Sequence, residues 1–96
     1  MDAALENVNE LAEYIALSNP QAARALVKNI FATVDRLDVF PLSGRIPEEL
    51  NEFNYREVIV NPCRVFYKIQ NDDVYILYVL RQERDVRRYI IELSKN

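Results

Sequence analysis

Residues 55–85 read YREVIVNPCRVFYKIQNDDVYILYVLRQERD. Val, Ile, Tyr and Phe dominate this stretch, a composition that suits a pleated, half-buried surface. In 55–60, Tyr55, Glu57 and Ile59 alternate with Arg56, Val58 and Val60. In 63–69, Cys63, Val65, Tyr67 and Ile69 alternate with Arg64, Phe66 and Lys68. A period of two predicts strands with one wet and one dry face. Segment 74–80, VYILYVL, is apolar on both faces and is expected to be the most buried strand. Asn61-Pro62 and Gln70-Asn71-Asp72 punctuate the runs, and connections this short allow only antiparallel neighbours.

Upstream the period changes. Across 3–18, Ala4, Leu5, Val8, Leu11, Ala12 and Ile15 recur at steps of three and four, with Glu6, Asn9, Glu10 and Glu13 on the other side. Asn19-Pro20 ends this helix and starts the next, since proline disfavours helical geometry before it and is harmless at a first helical position. Asn19 supplies the cap. The second helix, about 20–38, carries Ala23, Leu26, Val27, Ile30, Phe31, Val34 and Leu37 on its apolar face. The short link makes the pair a helical hairpin. Residues 39–54 form a loop with a short turn near Pro47-Glu48-Glu49, and Gly44 is expected there for a backbone angle closed to other residues. Residues 84–94 predict a last helix, with Val86, Tyr89, Ile90 and Leu93 on one face. The fold class is α+β: an N-terminal helical hairpin packed on a three- to four-stranded antiparallel sheet, with a C-terminal helix, in one domain over 1–96. The expected core includes Leu11, Ile15, Leu26, Ile30, Val34, Val58, Phe66, Ile76 and Val79.

The chain has 96 residues, half of them hydrophobic, which is ample for a core. No apolar run is long enough to cross a membrane, and the start MDAALENVNE lacks a signal peptide's basic and apolar regions. The single cysteine, Cys63, fits a reducing cytoplasm and reads as a buried, inert thiol. With no histidine, the usual acid–base group, the serine and cysteine triads and most zinc sites are excluded. One glycine rules out a phosphate-cradling loop. Asp72-Asp73 reads as a solvated turn, and no metal or other cofactor is expected. Tyr75, Tyr78 and Tyr89 read as core or interface residues.

The net charge of −3 argues against a surface that grips nucleic acid everywhere. All of that excess lies in residues 1–44, while 45–96 balance. Basic character is therefore local, and four arginines crowd residues 81–88. Taken singly, these arginines read as surface ion pairs, such as Arg56 with Glu57 or Arg84 with Asp85. Taken together, Arg56 and Arg64 on adjacent strands and Arg81 at the end of the third are expected to converge on one concave surface. Guanidinium forks there would bind phosphates or carboxylates.

Several stretches resemble the RelE/ParE superfamily of bacterial toxins from type II toxin–antitoxin modules. They are Ala4-x-x-Asn7-Val8-x-x-Leu11-x-x-Tyr14-Ile15, Asn19-Pro20-x-Ala22-Ala23, Leu37-x-x-Phe40-Pro41-x-x-Gly44-Arg45, Tyr55-Arg56-Glu57-Val58-Ile59-Val60, Phe66-Tyr67, and Ile76-Leu77-x-Val79-x-Arg81-x-x-Arg84-Asp85. They run in order over almost the whole chain. Two features depart from the pattern. The superfamily begins with a strand, where only Met1-Asp2-Ala3 precede the first helix, and it often has a histidine near the position of Arg81.

The resemblance implies one of two activities. RelE-like members cleave mRNA in the ribosomal A site with a cluster of basic residues and often a C-terminal tyrosine. ParE-like members lack that cluster and poison DNA gyrase. Arg56, Arg84 and Tyr89 are the counterparts a nuclease would use, but the paired lysines expected before the strand 55–60 are replaced by EELNEFN. A ribosome-docking nuclease would also gain from a basic surface. The ParE-like, gyrase-directed reading is therefore preferred, with the ribosome-dependent endonuclease and an inactive, antitoxin-binding regulator as alternatives. The implied partners are a cognate antitoxin and DNA gyrase (alternatively the ribosome and mRNA), in the bacterial cytoplasm, with a homodimer as a further expectation. Arg45, Arg56, Arg64, Arg81, Arg84, Arg87 and Arg88 are the candidate target- or antitoxin-binding residues. If the first strand is wanting, an open sheet edge is expected to recruit a strand from the antitoxin or from a second copy, unless the 39–54 loop covers it.

Overall fold

A computed structural model describes residues 2–95. Helix α1 spans Asp2–Ala16 and α2 spans Pro20–Val39. Asn19 caps α2 as its position predicts: its Oδ1 accepts from the Ala22 amide at 3.0 Å, and Pro20 takes the first helical position. Strands β1 (Tyr55–Val60), β2 (Cys63–Gln70) and β3 (Asp73–Arg81) follow, then α3 over Val86–Ser94. Helix α3 starts two residues later than its periodicity implies, because the Asp85 carboxylate accepts from the Arg88 amide at 3.1 Å and so acts as the cap.

The sheet is antiparallel in the order β1-β2-β3. Asn71 and Asp72 turn the β2–β3 hairpin with positive φ values of 53° and 68°, as a two-residue loop with the right twist requires. The hairpin α1–α2 lies on one face, over Val60, Cys63, Val65 and Val79. On the other face Leu50, Phe66, Leu80 and Val86 pack together under α3 and a short 3-10 turn at Glu48–Leu50. Both faces of β2 are thus covered, and residues 63–67 are all buried. Apolar composition pointed instead to β3 as the most buried strand. That expectation fails because β3 is an edge strand, with burial concentrated at Val79 and Leu80. Centrality in the sheet outweighs side-chain hydrophobicity.

Of the expected core, Leu26, Ile30, Phe66 and Val79 are buried, while Leu11, Ile15, Val34 and Ile76 pack partly buried against them. Val58 is half-buried and joins neither cluster. Cys63 is buried, and burial pushes its thiol pKa up. No described helix is long and apolar enough to cross a membrane.

The two sheet edges differ. Outside β1, the loop residue Arg45 forms an antiparallel bridge with Glu57: each amide donates to the other's carbonyl, at 3.0 and 2.8 Å. Tyr67 pins the same loop. Its hydroxyl donates to the Pro41 carbonyl (2.7 Å) and accepts from the Gly44 amide (2.9 Å). Gly44 has ordinary dihedrals, φ −77° and ψ 155°, so no forbidden backbone angle calls for glycine here. Space does: a Cβ at this position would collide with the Tyr67 hydroxyl oxygen and lie 2.8 Å from the Glu57 carbonyl oxygen. On β3, the one outer amide engaged by a described side chain is that of Val79, which donates to Asn7 Oδ1 at 3.0 Å.

Candidate functional site

Register sorts the arginines first. Residues directly opposite in an antiparallel pair share a face. Arg56 pairs with Tyr67, and Arg64 pairs with Ile59 and Leu80. Arg56 and Arg64 therefore point to opposite faces, and the expected convergence of Arg56, Arg64 and Arg81 does not occur. Arg81 pairs with Cys63, at the far end of the sheet from Arg56. The four residue steps of β2 from Cys63 to Tyr67 put about 13 Å between those levels at ~3.3 Å per residue.

Arg64 is enclosed. Its side chain is 9% exposed and that of Glu57 1%. Arg64 Nη1 donates to Glu57 Oε1 (3.1 Å) and to Glu49 Oε2 (3.0 Å), and Nη2 donates to the Arg84 carbonyl (3.1 Å). The guanidinium lies 4.7 Å from the Phe66 ring centroid. Arg64 Nε is the buried side-chain polar atom left without a partner among the described residues. Arg45 Nε takes the other Glu57 oxygen at 2.6 Å. One buried carboxylate thus ties β1 to β2 and to the loop. Such a group adds little net stability against an apolar equivalent, but stranding either charge is costly. The surface pairs guessed from adjacency are not formed: Glu57 pairs with Arg45 and Arg64, Arg56 Nη1 donates to the Gly44 carbonyl (2.7 Å), and Asp85 caps α3.

The remaining candidates are near the end of β3. Arg81 Nε is 3.1 Å from Glu83 Oε2, and its guanidinium is 6.0 Å from the Tyr14 ring. Arg87 donates to Glu52, whose carboxyl pKa it holds below the usual range, and to the Glu49 carbonyl. Arg88 and Glu92 form an exposed i,i+4 pair at 3.9 Å, of the kind that contributes a few tenths of a kcal/mol. Arg84 differs from these. Its guanidinium lies 4.8 Å from the Tyr89 ring centroid and has no carboxylate partner among the described residues. Of the nuclease candidates, Arg84 and Tyr89 come together and Arg56 stays apart.

Sequence reasoning passed over the residue that orders this corner. Asn7 is buried. The Val79 amide can only donate, so Oδ1 must face it, and Nδ2 then faces Tyr89, whose hydroxyl oxygen accepts at 3.0 Å. Asn7 thereby joins α1, β3 and α3, and it sets the ring on which Arg84 rests. The available signal was a polar residue on the apolar stripe of α1, between Ala4 and Leu11. Tyr78 meets Tyr89 edge-on at 5.4 Å, and burial, with Tyr55 and Tyr89 nearby, raises the pKa of its phenol. Among the described residues no group of three or more Cys, Asp or Glu side chains is placed to hold a metal ion.

Comparison with known proteins agrees with this geometry and with the quoted motifs. No curated protein matches the chain. The family described as "ParE toxin of type II toxin-antitoxin system, parDE" matches residues 1–86, from α1 through the three strands to the first residue of α3. That span covers most of the chain, which belongs to the ParE family of type II toxin–antitoxin toxins.

Proposed function

We propose that this chain arrests growth by acting on DNA gyrase in the bacterial cytoplasm and that a cognate antitoxin neutralises it. Family membership implies the antitoxin partner. The observation that supports gyrase over mRNA is the engagement of the arginines within the fold. Cleavage of RNA without histidine would need several cations around one phosphate. Here Arg64, Arg45, Arg81 and Arg87 each face carboxylates, and Arg56 stands at the other end of the sheet from Arg84. The contact between Arg84 and Tyr89 is what favours the alternative, a ribosome-dependent endonuclease.

Two assays on the purified chain separate these readings. In a supercoiling assay it is expected to inhibit gyrase. On ribosomes carrying a defined mRNA it is expected to leave the message intact. Codon-specific cuts that vanish in Arg84→Ala and Tyr89→Phe would overturn the proposal. Silence in both assays would also overturn it and would leave the regulatory role.

A further inference from the structure

On the α3 side of the sheet, Leu50, Phe66, Leu80 and Val86 form the packed layer. One layer on, toward the β2–β3 hairpin, Tyr55, Lys68 and Tyr75 stand directly opposite one another across the three strands. They therefore share that face. Phe53 extends the row beyond β1 by stacking on Tyr55, with ring centroids 5.1 Å apart and planes 16° from parallel. Phe53 and Tyr75 are each 38% exposed, so both ends of the row keep ring surface open to solvent. Between them, Lys68 Nζ lies 5.9 Å from the Tyr75 ring and has no carboxylate partner among the described residues. Asp73 stands a further layer on, opposite Gln70.

We propose that this row binds single-stranded DNA, with one base on Tyr75, the next on the Phe53–Tyr55 pair and the phosphate between them on Lys68. Every base has a flat face, so stacking on exposed rings is tolerant of sequence. Neighbouring strands are about 4.8 Å apart, which sets Tyr55 and Tyr75 about 10 Å apart with the ammonium in between. Bases in a duplex stand about 3.4 Å apart and show the grooves only their edges, so they cannot reach the rings. An unpaired strand, whose bases can part, fits the spacing. The carboxylate of Asp73 repels phosphate on the hairpin side, so the strand runs across the sheet and not along it. A second copy of this chain is a poor occupant, since a symmetric contact would set Lys68 against Lys68. The choice of DNA over RNA rests on the gyrase reading above.

The test titrates a dye-labelled, ten-nucleotide oligothymidylate with the full chain and reads fluorescence anisotropy. A dissociation constant of about 10–100 μM is expected at low salt, with the matching duplex about tenfold weaker or more. One neutralised phosphate gives log K a slope of about −0.7 against log salt, and Lys68→Gln is expected to flatten it toward zero. Tyr75→Ala is expected to weaken binding about fivefold or more. Tyr75→Phe, which keeps the ring, and Phe40→Ala, an exposed ring on the 39–54 loop, should stay within about twofold. Circular dichroism checks that each variant is folded, and the salt slope and duplex comparison on the unaltered chain stand without them. A duplex bound as tightly as the single strand, or a folded Tyr75→Ala that binds like the parent, overturns the platform. Tighter binding of a ten-nucleotide oligouridylate overturns the choice of DNA. A free chain that is a dimer by light scattering, and a monomer in Tyr75→Ala, overturns the choice of occupant. A chain that inhibits gyrase but binds no strand overturns the platform and spares the gyrase reading. One that binds the strand and leaves gyrase active does the reverse.

Discussion

Replacing Asn7 with alanine should reveal how much this fold depends on one side chain in α1. Asn7 is buried and bonded at both ends, to the Val79 amide and to the Tyr89 hydroxyl, each at 3.0 Å. Alanine removes the acceptor of the Val79 N–H, whose bond is buried, at a cost of about 1–3 kcal/mol. The Tyr89 hydroxyl is half-buried and regains water, so its lost bond adds only about 0.5–1 kcal/mol. The expected loss is about 1.5–4 kcal/mol, a large share of the ~5–15 kcal/mol typical of a whole domain. Asn7→Asp is the informative contrast. A carboxylate still accepts from Val79, the phenol turns to donate, and Arg81 and Arg84 line the same cleft. That variant should stay within about 1 kcal/mol of the parent at neutral pH. Urea unfolding followed by far-ultraviolet circular dichroism measures both. A cycle with Tyr89→Phe should isolate a coupling of about 0.5–1 kcal/mol. An alanine variant within about 1 kcal/mol of the parent, or an aspartate as damaging as alanine, would refute the bonding scheme.

Gly44→Ala should cost about 1–3 kcal/mol by overpacking, since the new Cβ meets Tyr67 and the Glu57 carbonyl. Made in a Tyr67→Phe background it should cost less, because the nearest obstructing atom is gone, and strictly additive losses in urea unfolding would contradict the steric account. The raised pKa values of Cys63 and Tyr78, both due first to burial, give the fold an alkaline limit. A group whose pKa is raised by folding contributes its full stability below its unfolded value, about 8.5 for a thiol and ~10 for a phenol, and loses it as pH rises through the folded value. Stability should thus hold at neutral pH and fall above about pH 9, and a thiol reagent should modify Cys63 only as fast as the chain unfolds. Rapid labelling of the native protein would contradict that burial.

Local order was legible from the residues alone. The steps of three and four in α1 and α2 and the Asn19-Pro20 junction each depend on neighbours a few positions away, and the structure bears them out. The alternation in β1 and β2 located the strands, but the wet face it implied for β2 is covered, since residues 63–67 are buried on both sides. Family-like spacing was legible for the same reason, since motifs are local strings. Burial of β2 over β3 was not, because which strand is central depends on what stacks above and below it. Nor were the partners of the arginines. Glu57 holds Arg45 and Arg64 from twelve and seven residues away, and Arg56 bonds a loop carbonyl twelve residues before it. Charge in a sequence shows how many guanidinium groups there are, while only the register decides which face each occupies and which are already satisfied. Gly44 makes the same point for shape. A lone glycine suggested an unusual backbone angle, but the fold needs it because Tyr67, distant in the chain, packs a hydroxyl where a side chain would stand.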